Sequence, residues 1–515
     1  MADAGAAGAA LLPAFFHDRS VLVTGATGFL GKVLVARVLA TCPGVRELRV
    51  LLRAKRGLSP EDRLHELKRS PVFDSVRSAC PSQLDKLVAV SGDVTLPRLG
   101  LQPAELRALR PVSVVFHCAA SVHFRETLAA AERQNVRAVL ELCDVCDQLP
   151  ALEALIHVST AYSNAERARV EERVYAAPAH ADLAALLRAL PDSLLDEITP
   201  LLISPKPNTY VFSKAVAEAS IQQRERRHYA VAIFRPSIVV SSWRWPAPGW
   251  VQGASGAGGV LLGCGAGVLR AIHLAPAARA DLVPVDFVAD TMLAAAWDIV
   301  THRAAEVRVY NCSSQENPVT WRWFGSRSLE ALRAHPYASA LYYPCTFTIK
   351  NRFIFNAVQL CLQTAPLHAA DYLAKLCGLK LKMSLSTVAD RLYAMNDVLS
   401  YFALHEWDFS TENMQRLRER LSDKDREIYH LDIRDVDWDS HVENFVQGTR
   451  RHLLREPDSS LPAARRRMQR LRLLHYTLML TLSVVTLRLL SRLIPAFIRN
   501  LPLLIKSRQN MHGRK

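Results

Sequence analysis

The chain has 515 residues, half of them hydrophobic, and a net charge of +15. That length exceeds one ordinary domain, so a large domain with a smaller companion is expected. The charge is concentrated: residues 465–515 hold twelve Lys or Arg and no acid, which leaves about +3 for the first 464. A basic tail alternating Arg with apolar runs suits a membrane surface and argues against nucleic acid as a partner. The ten cysteines are scattered without the paired spacing of a metal site, and "MADAGAAGAALLPAFF" lacks the basic start of a secretory signal. A reducing compartment with free thiols and no bound metal is expected.

From residue 20 to about 240, apolar runs alternate with helical patterns. Strands are expected at "SVLVTG" (20–25), "LRVLLR" (48–53), "LVAVSGD" (87–93), "SVVFHCAA" (113–120), "EALIHVST" (153–160) and "YAVAIFRP" (229–236). Helices fall at 31–41, 126–148 and 209–228. Strands that are apolar throughout and separated by helices predict an α/β fold with a doubly wound, Rossmann-type parallel sheet. The Pro-, Trp- and Gly-rich stretch 244–268 reads as a substrate-side lid or as a plain surface connection. A strand and a helix follow within 280–297, and the chain turns largely helical from about 341 to 456. "EPDSS" at 456–460 then marks a linker. The division expected is 15–340 for a catalytic domain, 341–456 for a smaller helical domain and 465–515 for the tail.

In "SVLVTGATGFLGKVL" the glycines Gly25, Gly28 and Gly31 stand where a strand gives way to a helix. Free backbone N–H groups and the helix dipole favour a pyrophosphate there. Gly25 would permit the tight turn, Gly28 the approach of the cofactor and Gly31 the packing of helix on strand. Thr24, Thr27, Phe29 and Leu30 complete the loop as candidate contacts. An NAD site would place an acid about 20 residues on, to grip the ribose 2′-OH. Here "VLLRAKR" offers Arg53, Lys55 and Arg56 instead, which suits a 2′-phosphate and predicts NADPH; the alternative is a solvated basic loop. Asp93 and Val94, in "SGDV", stand where an adenine could be met.

"NTYVFSK" sets Tyr210 four residues before Lys214, on one face of a helix. The lysine can hold a nicotinamide ribose and lower the phenol's pKa, and the phenol can protonate a carbonyl oxygen as hydride arrives. "HVSTAYSN" supplies Ser159 and Thr160 at a strand end; Thr160 is the preferred partner, because Ser159 is placed to face the sheet. Cys118 offers a covalent alternative through a thioester. Its only adjacent base, His117, points to the opposite face of the strand. His117 and His123 read as packing and loop residues.

"VTGATGFLGK", the strand-end Ser/Thr and "YVFSK" resemble the extended short-chain dehydrogenase/reductases. "LLRAK", "FHCAASVHF", "HVSTAYSN", "FRPSIV", "PGWV", "VPVD", "WDFST" and "DWDSHVENFVQGTRRHLL" are similar to the alcohol-forming fatty acyl-CoA reductases, over roughly residues 15–455. The resemblance implies NADPH as cofactor, with Cys118, Ala119, Ala120, Pro236 and Ser237 among its contacts. It also implies reduction of a long-chain acyl-CoA to a primary alcohol in two hydride transfers, on Thr160, Tyr210 and Lys214. Two stretches depart from the pattern: "QGASGAGG" (252–259) and residues 320–370, where acyl-chain or CoA contacts are expected. The competing readings are an aldehyde-forming reductase, and a dehydrogenase or epimerase acting on a sugar or sterol. A non-catalytic lipid-binding module on the same fold is a further reading, disfavoured by the intact Tyr210, Lys214 and glycines.

The tail contains "LLHYTLMLTLSVVTL" (473–487), fifteen residues without a formal charge between flanking arginines. A full span needs about 20 apolar residues, so this run suits either a span extended by snorkelling Arg488 and Arg492 or a basic helix lying in the interface. The resemblance implies a peroxisomal membrane location with the catalytic domain facing the cytosol.

Overall fold

The computed structural model describes residues 10–224, 228–254, 256–303, 306–379 and 383–512. Its centre is a seven-stranded sheet: β1 (Ser20–Thr24), β2 (Glu47–Leu52), β3 (Leu87–Ser91), β4 (Val112–His117), β5 (Ala154–Val158), β6 (Ala230–Pro236) and β7 (Arg308–Cys312). The order is β7-β6-β5-β4-β1-β2-β3 and every neighbour is parallel. This is the expected doubly wound sheet, with β7 added beyond the six strands read from the sequence. β4 and β6 are buried at every position because helices cover both faces.

The two faces separate by the period of two that strands impose. On one, Val21, Val23, Val50, Val114, Phe116 and Phe234 pack against helices α1 (Phe29–Thr41) and α3 (Val285–Thr301). On the other, Leu22, Leu51, Val115 and Leu155 meet Val139, Leu142, Ala217 and Ile221, the last two from helix α2 (Thr209–Gln223). The chain leaves β1 in one direction for β2 and β3 and in the other for β4 to β7. That reversal opens a crevice at the carboxyl ends of β1 and β4, where such sheets bind their ligands.

Beyond residue 340 the chain is mainly helical, in Arg352–Gln359, Ala365–Leu376, Leu385–Leu404, Glu412–Arg420 and Trp438–Gly448. Its second half returns to the sheet domain. Asp408–Phe409 pairs with Arg169–Val170, and Asp425 accepts the backbone N–H groups of Leu11 and Leu12 at 2.9 and 3.0 Å. Arg37 of α1 pairs with Asp290 of α3 at 2.6 Å and also donates to Ile428 O. The expected boundary at 340 is therefore crossed by buried polar contacts. "EPDSS" is likewise pinned, since Glu456 accepts Ala338 N at 2.9 Å.

The stretch 244–268 is no loose surface connection. It folds into the helix Gly256–Gly265 and crosses the helix Trp438–Gly448, where Cβ atoms on Gly249 and Gly448 would stand 1.9 and 1.8 Å from the facing backbone. The tail forms one helix, Leu461–His512. Among the described residues no helix is long and apolar enough to cross a membrane, so the full span has no support here.

Candidate functional site

The glycine turn lies in the crevice. Gly25 has φ +74°, and a Cβ there would stand 2.6 Å from the Ala119 nitrogen at the end of β4. A Cβ on Gly31 would stand 2.3 Å from the Gly25 carbonyl oxygen, so at this residue α1 packs against the turn itself. Gly28 precedes α1 with no side-chain cap. It is exposed, and a Cβ would meet only Gly25 O, at 3.1 Å. The turn thus presents an uncapped helix start with open space beside Gly28, which fits a pyrophosphate.

The other loop residues divide. Thr24 is fully buried and braces β1 to β4: its hydroxyl shares a 2.7 Å hydrogen bond with His117 Nδ1 and accepts Ala119 N at 3.3 Å. It lies beneath the cradle rather than in it. Thr27 is half-buried on the rim, and Leu30 packs into the core. Phe29 stacks on Trp250 with centroids 5.5 Å apart, and Gln252 Nε2 reaches Thr27 O at 3.4 Å. The 244–268 segment therefore roofs the turn.

At the end of β2, Arg53 is half-exposed and pairs with Asp93 at 3.1 Å. Arg63 joins it, donating to Arg53 O at 2.6 Å and to Thr27 Oγ1 at 3.4 Å. This second guanidinium went unread in the sequence, since it sits on an otherwise ordinary amphipathic helix, Pro60–Lys68. Lys55 is exposed in a tight loop closed by paired backbone bonds with Leu58. Burial works against the Asp93 carboxylate, but bonds from Thr95 and Arg53 outweigh it and hold its pKa low. Val94 packs against the second core.

Tyr210 and Thr160 come together at the crevice, both lining the cavity described below. Burial pushes the phenol up to about 12; the opposing influence is Thr160, so the expected lowering by Lys214 is not what the structure shows. Lys214 is buried, donates to Val158 O at 2.8 Å, and is lowered by desolvation to about 8, with Glu218 opposing. Ser159 turns away: its hydroxyl donates to Glu218 at 2.5 Å, and Glu218 in turn pairs with the fully buried Arg235 at 2.6 Å. Ser159 thus secures β5 to α2 rather than facing substrate. Asn135, unremarked in the sequence, sits in a wide helical turn and binds Ser121 N at 2.9 Å and Ser213 Oγ at 3.0 Å, behind the Tyr210 helix.

Cys118 is pushed up to about 12 by burial, with Lys214 opposing, and the neighbouring His117 is held at about 3 by burial. A neutral thiol beside an imidazole already bonded to Thr24 is no nucleophile. Ala119 and Ala120 lie half-buried at the crevice, and His123 stands exposed on the following loop. Pro236 ends β6 in the core, whereas Ser237 opens onto a cavity.

That cavity, of about 520 Å³, begins at Thr160, Tyr210 and Ser237 and runs between apolar walls. Phe124 lines it beside Tyr210, edge-on at 5.2 Å. Its walls come from the helix Gly256–Gly265, the helix Trp321–Ala334, the strand Phe347–Ile349 and the helix Leu385–Leu404. Both stretches that depart from the family pattern contribute to it.

Comparison with known proteins agrees with this arrangement. Two family models, both described as male sterility protein, match residues 23–292 (an NAD-binding model) and 362–456. Fatty acyl-CoA reductase 1 of Gallus gallus is 36% identical over 468 residues, 90% of each chain. Fatty acyl-CoA reductase 2 of Homo sapiens is 35% identical over 482 residues, 93% of each. Among solved structures, the terminal R domain of the myxalamid PKS-NRPS pathway superposes with a TM-score of 0.56 at 18% identity, covering 86% of this chain and 93% of that one. The reductase domain of a nonribosomal peptide synthetase from Mycobacterium tuberculosis gives 0.54 at 20%, covering 85% and 92%. The chain belongs to the fatty acyl-CoA reductases and is a nicotinamide-dependent oxidoreductase.

Proposed function

We propose that the protein reduces long-chain acyl-CoA to the primary alcohol, using NADPH in two hydride transfers and releasing CoA after the first. The observation that carries this reading is the apolar cavity of about 520 Å³ starting at the Thr160–Tyr210 hydroxyl pair. Its size falls in the usual range for ligand sites, roughly 300–1,000 Å³. Thr160 and Tyr210 stand at one end for a carbonyl, and the walls beyond are mostly apolar, with Arg322, Ser326, Ser328, Thr346 and Thr348 among them.

Bound NADPH supplies hydride at its nicotinamide. Arg53 and Arg63 are the residues for its 2′-phosphate, the turn at Gly25 to Gly31 for its pyrophosphate, and Lys214 for the nicotinamide ribose. Thr160 and Tyr210 hold the carbonyl oxygen of the thioester, where two donors stabilise the developing negative charge. Raised to about 12, the phenol keeps its proton at neutral pH and can deliver it to that oxygen. The same pair then serves the aldehyde.

The tail, with its exposed leucines between arginines, supports a bilayer partner through a basic helix lying in the interface. We place the protein at the peroxisomal membrane, facing the cytosol, on the family resemblance.

The test is the stoichiometry with palmitoyl-CoA. Two NADPH oxidised per CoA released, with alcohol as product, is expected. A ratio of one with aldehyde accumulating identifies an aldehyde-forming reductase; no turnover on acyl-CoA ends the reading.

A further inference from the structure

Exposed apolar surface is unevenly distributed on this molecule. Twenty-one of the twenty-five large hydrophobic side chains standing exposed among the described residues fall in two segments, 341–393 and 473–487. The rest of the fold buries such residues almost completely. Monomeric soluble proteins rarely leave patches of this extent uncovered.

The helices from Arg352 to Leu376 are amphipathic in the reverse sense. Their polar side chains point inward: Gln359, Gln363 and Asp371 are 2%, 1% and 2% exposed. Gln363 Oε1 accepts Arg270 N at 2.9 Å, and Asp371 accepts Leu385 N at 2.8 Å together with the Ser384 and Ser386 hydroxyls. Apart from Phe355, which is buried against His273, their large apolar side chains point mostly out: Phe353 is 84% exposed, Leu376 66% and Tyr372 64%. The inward hydrogen bonds fix the rotation of these helices, so the apolar face cannot turn into the core. It is committed to another phase.

We infer that this face, Phe353 to Leu379, docks directly on a phospholipid bilayer as a second contact beside the tail. Three observations select lipid over a second copy of the chain. The tail helix starts from the same region, with His475 against Tyr342 and Tyr343 and Arg467 donating to Ala340 O at 3.0 Å. Its exposed apolar residues from Leu473 to Leu487 wrap more than half of its circumference, wider than the single stripe one partner helix would cover. Residues 341–400 carry six Lys or Arg against three Asp, and the tail adds twelve cations and no acid, which complements anionic headgroups. The placement has a consequence for substrate. The strand Phe347–Ile349 is part of the exposed region through Phe347, while Thr346 and Thr348 on either side line the cavity. An acyl chain passing between bilayer and cavity would cross little water.

Two native thiols lie on this face, Cys361 and Cys377, both exposed; a third exposed thiol, Cys80, lies beside the edge strand β3, away from it. The full-length chain is labelled at one of these with an environment-sensitive fluorophore, the other two replaced by Ser. It is then mixed with vesicles of phosphatidylcholine and phosphatidylserine, with and without brominated acyl chains. Emission from Cys361 and Cys377 should shift to the blue and be quenched by brominated lipid; emission from Cys80 should not change. The variant Phe353→Ser, Leu373→Gln, Leu376→Gln should still float with the vesicles through its tail but lose the response at Cys377. NADPH oxidation with a water-soluble short acyl-CoA, measured without vesicles, reports folding and activity separately. Flotation with unchanged probes would show that the tail alone binds and would overturn the inference. So would absence of flotation, or a blue shift that follows protein concentration without vesicles, which would mean a second copy covers the face.

Discussion

The cofactor crevice and the acyl cavity meet at Tyr210 but are built on different principles. In the crevice each residue type is dictated by local backbone: a positive φ at Gly25, a carbonyl 2.3 Å from any Cβ on Gly31, a lysine one helical turn after a tyrosine. In the cavity no single residue is required. Its walls are apolar side chains from segments more than two hundred residues apart, and only assembly of the sheet domain with the later helices makes them a container. The contrast teaches where substitution should be absolute and where it should be graded.

The hardest break is at the point where the two regions touch. Tyr210→Phe removes one hydroxyl and leaves its ring packed against Phe124. Turnover should fall by roughly 10²- to 10⁴-fold, as for loss of a general acid, while NADPH affinity stays the same. Retention of more than about a tenth of the rate would remove Tyr210 from the mechanism. Thr160→Val should fall less, because Tyr210 remains to donate.

A second break runs along the seam between the regions. Glu172 accepts Asn311 N at 3.0 Å and the Asn413 N–H, so it joins β7 to the returning C-terminal segment. Burial pushes its carboxyl up to about 7 from an ordinary 4.5, against the backbone N–H bonds that lower it. The folded pKa is thus above the unfolded one. The unfolded chain loses this proton first, so stability is fully present below about pH 4.5 and declines as pH rises to about 7, by at most about 3 kcal/mol. Urea midpoints between pH 5 and 8 should show that decline, and Glu172→Gln should flatten it. Equal slopes in the two proteins would assign the pH dependence elsewhere.

These two tests fall on either side of what the sequence discloses. The strands at 20–24, 112–117 and 230–236 were legible because a buried parallel strand is a nearly continuous apolar run bounded by turns. Gly25, Gly31, Tyr210 and Lys214 were legible because spacing along one helix or turn is spacing in space. Arg63 and Asn135 were not, since their neighbours are distant in sequence and their own surroundings look like ordinary helix; the cavity walls were anticipated only at 252–259 and 320–370. Thr24 was nominated by position at a strand end, but which way its hydroxyl points depends on His117, which lies on another strand; the preference for Thr160 over Ser159 did anticipate that Ser159 turns away, to Glu218. The reversed amphipathicity of 352–376 could not be seen either, because a periodic pattern gives a stripe but not the side on which the core lies.

A graded change is expected within the cavity. Gly325 lines it from the helix Trp321–Ala334, and a Cβ there meets nothing within 4 Å. Gly325→Leu should favour the helix by about 1 kcal/mol. It should also occupy space that a long chain needs. kcat/KM for stearoyl-CoA should fall by roughly tens-fold relative to octanoyl-CoA, the discrimination that a few methylenes in an apolar pocket allow. An unchanged chain-length profile would mean that the acyl chain lies elsewhere.

The smallest effect belongs to the solvent-facing edge of the crevice. Arg53 is half-exposed and already shares Asp93, while Arg63 bridges Arg53 O and Thr27. A 2′-phosphate placed there faces two guanidinium groups and one carboxylate, whereas a ribose hydroxyl would gain nothing from the second cation. One charge-assisted bond at such a site contributes about 1.5 kcal/mol, so Arg53→Ala should weaken NADPH by roughly tenfold. NADH should change less than about twofold, since its ribose makes no ionic contact. Arg63→Ala should do more than Arg53→Ala, because it also frees the rim of the glycine turn at Thr27. Both penalties should shrink as salt is raised, which a buried contact would resist. Titration of the two cofactors by protein fluorescence at low and high salt decides the matter: equal affinity of the unaltered protein for NADH and NADPH would show that the basic pair is only a solvated edge.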